Sequence, residues 1–119
     1  MKAVCVDDER KSLDYFVSLC ERHPLIDEAT GFIKPLDALE WMDTNKADLA
    51  ILDINMPKMN GIDALTEIMK IDPKAKVIMC SDQKYESMIM MALKKGAKDF
   101  VIKPFTSYDI YLAVKKLFD

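Results

Sequence analysis

The stretch Leu49-Ala50-Ile51-Leu52-Asp53 decides how this chain folds: four apolar residues in a row, then a carboxylate. A short continuous apolar run reads as a strand buried on both faces, the kind found in parallel sheets covered by helices. Three further runs have the same form. Ala3-Val4-Cys5-Val6 leads to Asp7-Asp8, Val77-Ile78-Met79-Cys80 to Ser81, and Phe100-Val101-Ile102 to Lys103. In an open parallel sheet, ligands bind in the crevice outside the carboxyl ends of the strands. Three carboxylates, a hydroxyl and an ammonium are therefore expected to converge at one edge. Crowded acids repel, so the set asks for a hard divalent cation, and the serine and lysine ask for an anion beside it.

Outward from these runs the apolar residues recur at helical spacing. The first strand covers 2–6. The first helix is expected over about 9–22, with Leu13, Phe16, Val17 and Cys20 at i, i+3, i+4 and i+7, and His23-Pro24 stops it. A weak second strand is expected near Ile26–Ala29. Pro35 suits the first turn of a second helix that runs to about Asn45, with Leu39 and Met42 facing in. The third strand, 49–53, leads into a turn-rich loop, Asn55-Met56-Pro57-Lys58-Met59-Asn60-Gly61. Ile62, Leu65 and Met69 mark a third helix that Asp72-Pro73 ends. The fourth strand is 76–80, and the fourth helix, about 84–95, closes on Gly96 as a left-handed cap. A fifth strand over 99–102 and a fifth helix over about 107–118, with Ile110, Val114 and Leu117 inward, complete five βα units. The class is α/β, a doubly wound parallel sheet with helices on both faces.

Length and composition agree. A chain of 119 residues, half of them hydrophobic, is expected to form one domain over 1–119. The net charge of -3 gives no electrostatic case for direct nucleic-acid binding. Nothing in the sequence has the length of a membrane span, and Met1-Lys2-Ala3-Val4 runs into a strand without a signal peptide. Cys5, Cys20 and Cys80 are odd in number and sit in apolar stripes, so they read as small buried hydrophobes of a cytoplasmic protein. His23, the single histidine, is expected at the surface, and Trp41 in partial core.

The residues now assembled resemble the receiver domain of two-component response regulators. The resemblance spans the chain: Val6-Asp7-Asp8-Glu9, then Leu52-Asp53-Ile54-Asn55-Met56-Pro57, Gly61, Ser81, and Lys103-Pro104-Phe105, in order and at the right strand ends. It implies a flavodoxin-like, CheY-like sheet of order 2-1-3-4-5 and an Asp53 that accepts a phosphoryl group from a sensor histidine kinase. The chemistry of the residues is consistent with this. Asp53 can attack phosphorus as a carboxylate nucleophile and become an acyl phosphate. Asp8 and Asp53 can give oxygens to Mg2+ (or Mn2+). The resemblance implies the Asn55 carbonyl as a third ligand and Asp7 acting mainly through water. Lys103 would pair with Asp53 and then with the phosphoryl oxygen, and Ser81 would donate its hydroxyl there. Asp7 or Asp8 also suits an N-cap of the first helix.

Phe100 stands where the family has an aromatic switch residue, but without a hydroxyl. Asp82 follows Ser81 where the family mostly has a small residue, and it brings an acid to the phosphoryl pocket or caps the fourth helix. That helix, Tyr85 to Leu93, is apolar nearly all round, and Tyr108, Tyr111 and Leu112 add apolar surface to the fifth. A partner surface for a downstream output protein or domain, or for a homodimer, is expected on the face of the fourth helix, fifth strand and fifth helix, involving Tyr85, Ile89, Leu93, Ile102 and Tyr111. The first half, with Gly31-Phe32 and Ala38-Leu39-Glu40-Trp41, resembles receivers attached to DNA-binding output domains. From Gly96-Ala97-Lys98-Asp99-Phe100 onward the chain resembles chemotaxis regulators. Two rivals fit less well. A haloacid-dehalogenase-type phosphatase needs an acid where Asn55 stands. In a flavodoxin-like cofactor binder, Asp7-Asp8-Glu9 would repel a flavin phosphate. A third, a pseudo-receiver serving only as an interaction module, has no need of the acidic pocket this chain carries.

Overall fold

The computed structural model describes residues 1–56, 59–82 and 86–118. Strands β1 (Lys2–Val6), β2 (Glu28–Phe32), β3 (Leu49–Asp53), β4 (Lys76–Ser81) and β5 (Asp99–Ile102) alternate with helices α1 (Arg10–Arg22), α2 (Pro35–Thr44), α3 (Gly61–Ile71), α4 (Glu86–Lys94) and α5 (Ser107–Phe118). All strand pairs are parallel, in the order β2-β1-β3-β4-β5. This is the flavodoxin-like, CheY-like arrangement. β3 at the centre is buried along its whole length, as its unbroken apolar run demands.

Alternate residues of each strand feed two cores, one per sheet face. Val4, Val6, Ala50, Leu52, Val77 and Met79 pack under α2, α3 and α4. Cys5, Leu49, Ile51, Ile78 and Cys80 pack under α1 and α5. Trp41 is half-buried against Phe32, ring centroids 5.8 Å apart. Pro35 opens α2, and Asn60 caps α3 by accepting from the Asp63 N–H at 2.9 Å. Gly96 takes φ 114° after α4, the left-handed conformation that favours glycine.

Three expectations change. The second strand begins two residues later than the sequence suggests. Asp27 N–H is taken by the Met1 carbonyl, and pairing starts at Lys2 with Glu28. The strand is a half-exposed edge containing Thr30 and Gly31, so its periodicity is faint. His23 is not at the surface. It is 6% exposed, its Nδ1 accepts from the Leu25 N–H at 3.1 Å, and its Nε2 faces the Tyr111 carbonyl at 3.3 Å. The ring lies against Tyr111, centroids 4.9 Å apart, because α5 packs beside the end of α1. The N-cap position of α1 is Glu9, with no side-chain bond to the helix. Asp7 Oδ1 instead accepts from the Glu9 N–H at 2.9 Å, closing the turn ahead of the helix.

Candidate functional site

The parallel sheet brings every strand's C-terminal end to one edge, and the polar residues collect there. Asp7 follows β1, with 1% of its surface exposed, and Asp53 ends β3 at 4%. Successive residues of an extended chain point in opposite directions, so Asp8 faces solvent while Asp7 turns in. One oxygen from each of Asp7, Asp8 and Asp53 lies within 4.8 Å of the others. Lys103, from the segment after β5, bridges two of them, with Nζ 3.2 Å from Asp7 Oδ2 and 3.4 Å from Asp53 Oδ1. Backbone bonds fix this reach: Lys103 N–H donates to the Ser81 carbonyl at 2.7 Å, and Ile54 N–H to that of Cys80 at 2.9 Å. The Lys103–Pro104 peptide is cis. Phe16 lies under the ammonium, 5.7 Å from its ring centre.

Ser81 is fully buried at the end of β4, and Gly61 presses α3 onto the end of β3. A Cβ on Gly61 would meet the Asp53 carbonyl oxygen and lie 2.7 Å from Ile54 Cα. Only glycine allows that approach. Asn55 extends its carboxamide to Asp82, Nδ2 donating to Oδ1 at 2.8 Å. Both are exposed at the mouth of the site. An open groove lined by Asp8, Asn55, Met56, Asn60, Met88 and Met91 leads from there between α3 and α4.

The electrostatics follow from the crowding. Burial pushes the Asp53 carboxyl up to about 6, and Asp7 adds to the rise while Lys103 opposes it. Burial pulls the Lys103 ammonium down, but the Asp53 and Asp7 carboxylates outweigh it and hold its pKa above the usual lysine value. Three carboxylates against one ammonium leave the cluster short of positive charge. Its donors are all hard oxygens, the set a small divalent cation takes.

Of the partner-surface residues, Leu93 is exposed, Ile89 and Ile102 are half-buried, and Tyr85 lies outside the described residues, as do Pro57 and Lys58. Tyr111 does not join them. It faces α1, beside Leu19, Arg22 and His23. The groove between β5 and α5 is lined by Phe100, Ile102, Asp109, Leu112 and Lys116. Phe100 is half-buried and packs on the core beneath α2–α4. Met90 and Met91 are 62% and 50% exposed on α4. The apolar excess expected on the fourth helix is thus carried at the surface by Met90 and Met91. The Asn55–Asp82 bond is not legible in the sequence: the strand order makes the segments after β3 and β4 neighbours, but the side-chain pairing across them depends on rotamers that only packing sets.

This sheet order and strand-end acidic site define a response regulator receiver, and comparison with known proteins agrees. The chain belongs to the response regulator receiver domain family, whose model matches residues 3–115. It is a CheY-like signalling domain of the two-component type. It is similar to the chemotaxis protein CheY of Thermotoga maritima, 48% identical over 81 residues that cover 68% of each chain. It is also similar to a protein-glutamate methylesterase/protein-glutamine glutaminase of Bordetella avium, 31% identical over 105 residues, 87% of this chain and 30% of that one. Among solved structures, a chain of the CheX–CheY–beryllofluoride–Mg2+ complex of Borrelia burgdorferi superposes with a TM-score of 0.88 at 29% identity, covering 100% of this chain and 90% of that one. Among the described residues no helix is long and apolar enough to cross a membrane.

Proposed function

We propose that Asp53 receives a phosphoryl group from a sensor histidine kinase and that the modified site alters the α4–β5–α5 face to control a downstream partner. The observation that carries this reading is the Lys103 ammonium held between Asp7 and Asp53, with Asp8 alongside. Asp7, Asp8, Asp53 and the Asn55 carbonyl would hold Mg2+ (or Mn2+), which supplies neutralisation of the charge that builds on the phosphoryl oxygens. The rest is done by the chain. The Asp53 carboxylate forms its bond to phosphorus as the kinase imidazole leaves. Lys103 shifts from Asp53 to a phosphoryl oxygen, and Ser81 donates its hydroxyl to another. Such a site is a phosphoacceptor that catalyses its own modification and hydrolysis, not an enzyme acting on a separate substrate. We take residues 1–119 as one such domain, stand-alone or part of a longer regulator.

Incubation with acetyl phosphate and Mg2+ tests the reading. One hydroxylamine-labile phosphate per chain is expected, lost in Asp53→Asn and strongly slowed in Asp8→Ala. Wild-type incorporation in Asp53→Asn would overturn it.

A further inference from the structure

Beneath the acidic turn two thiols meet. Cys5 Sγ of β1 and Cys20 Sγ of α1 lie 3.7 Å apart, and neither residue has exposed surface. Around them the layer is hydrocarbon and aromatic ring, including Leu13, Phe16, Ile51 and Ile110. Cys80, the third free thiol, is buried in the same layer on β4, with β3 between its strand and β1. Besides filling the layer as small hydrophobes, two thiols in contact can do what hydrocarbon side chains cannot, which is give up two electrons to form one bond. We propose that Cys5 and Cys20 are a reversible redox pair, resting as thiols and closing to an intramolecular disulfide when hydrogen peroxide reaches them.

The geometry sets the chemistry. Only an oxidant of about the size of water can enter a fully packed layer, and it does so during local opening. The Cys20 sulfur attacks the peroxide as a thiolate, the O–O bond breaks, and a sulfenic acid forms with release of water. The Cys5 sulfur then attacks the sulfenic sulfur, the S–O bond breaks, and a second water leaves with the remaining thiol proton. Two thiols are thus oxidised by two electrons and one peroxide is reduced to two waters. The hydrogen bond between the two thiols, which either sulfur can donate, lowers the Cys20 pKa below the usual cysteine value, and Cys20 attacks first on that account. To bond, the sulfurs must close from 3.7 Å to about 2.05 Å, which requires side-chain rotation and a small approach of α1 to β1. The loop so closed contains Asp7-Asp8-Glu9, so the bond ties the strand that carries the acids to the helix that follows them. The inference does not depend on the phosphoacceptor reading.

Treating the native protein with hydrogen peroxide, removing the excess with catalase, and alkylating the remaining thiols after unfolding tests it. Two of the three thiols are expected to escape alkylation within the monomer. A digest should join the Cys5 and Cys20 peptides, with Cys80 alkylated, and dithiothreitol should restore all of them. Cys80→Ala is expected to behave like the wild type, and Cys20→Ala to form no intramolecular bond. Three thiols still free after exposure to millimolar peroxide, oxidation confined to sulfinic or sulfonic acid on single cysteines, or a bond that includes Cys80 would each overturn the proposal. Each of these outcomes is read on the wild-type protein, so a variant that fails to fold does not obscure the answer.

Discussion

The Asn55 carboxamide donates to the Asp82 carboxylate at 2.8 Å, tying the segment that follows β3 to the one that follows β4. Asp53 lies two residues before one partner and Ser81 one residue before the other. The bridge therefore stands at the mouth of the acidic site and holds a negative charge there.

An incoming phosphoryl donor meets that charge. Asp82→Ala is expected to speed modification by acetyl phosphate about three- to tenfold at low salt, with the gain shrinking as salt screens the repulsion. A kinase that docks elsewhere can offset the repulsion with its own binding energy, so the gain with a protein donor should be smaller. Measured rates for the two proteins that match at low salt would refute the effect.

The raised Asp53 carboxyl makes stability depend on pH. Its folded value is about 6, against ~3.9 in an unfolded chain. Between these values the folded state keeps a proton that the unfolded state has lost, so stability falls as pH rises through that window. Asp53→Asn is expected to melt several degrees higher than the wild type at pH 7.5 in metal-free buffer, with the gain disappearing near pH 4. Mg2+ affinity of the wild type should weaken as pH drops through about 6, because the proton and the cation compete for one carboxylate. A melting difference that is equal at both pH values would contradict this.

Gly61→Ala forces a methyl group against the Asp53 carbonyl and Ile54 Cα, both backbone atoms that cannot rotate away. The start of α3 must lift from the end of β3. Denaturant unfolding should show a loss of about 2–3 kcal/mol. Phosphate incorporation should fall with it, since Asp53 is displaced from Lys103. Unchanged stability would mean that α3 yields more easily than its packing implies.

The α4 surface should respond to occupation of the site. Met90 and Leu93 are 62% and 46% exposed, and Ile102 and Leu112 border the β5–α5 groove beside Phe100. Beryllofluoride with Mg2+, standing in for the phosphoryl group, is expected to move amide resonances of α4 and β5 and to shift a self-association or partner-binding equilibrium. Leu93→Ala should weaken that association without altering phosphate incorporation. Resonance changes confined to the segments after β1, β3 and β4 would count against the surface.

Much of this was legible in the chain. Runs such as Leu49–Leu52 and Val77–Cys80 are apolar without alternation, which suits only strands covered on both faces, and the helical stripes between them imply the parallel order of connection. That connection alone carries Asp7, Asp8, Asp53, Ser81 and Lys103 to one edge, so residues nearly a hundred positions apart could be named as one cluster before any coordinates. What the tertiary structure decided is how side chains share that edge and which face each helix residue takes. The chain's alternation turns Asp7 in and Asp8 out, so Lys103 bridges Asp7 as well as Asp53. The packing of α5 beside α1 buries His23 against Tyr111 and leaves Leu112 at the β5 groove. The bond from Asn55 to Asp82 and the contact of Cys5 with Cys20 arise the same way. Period and polarity along a chain say which residues lie inside or at a strand end. The partner that each one meets depends on the rotation and crossing of elements far apart in sequence, and only packing sets those.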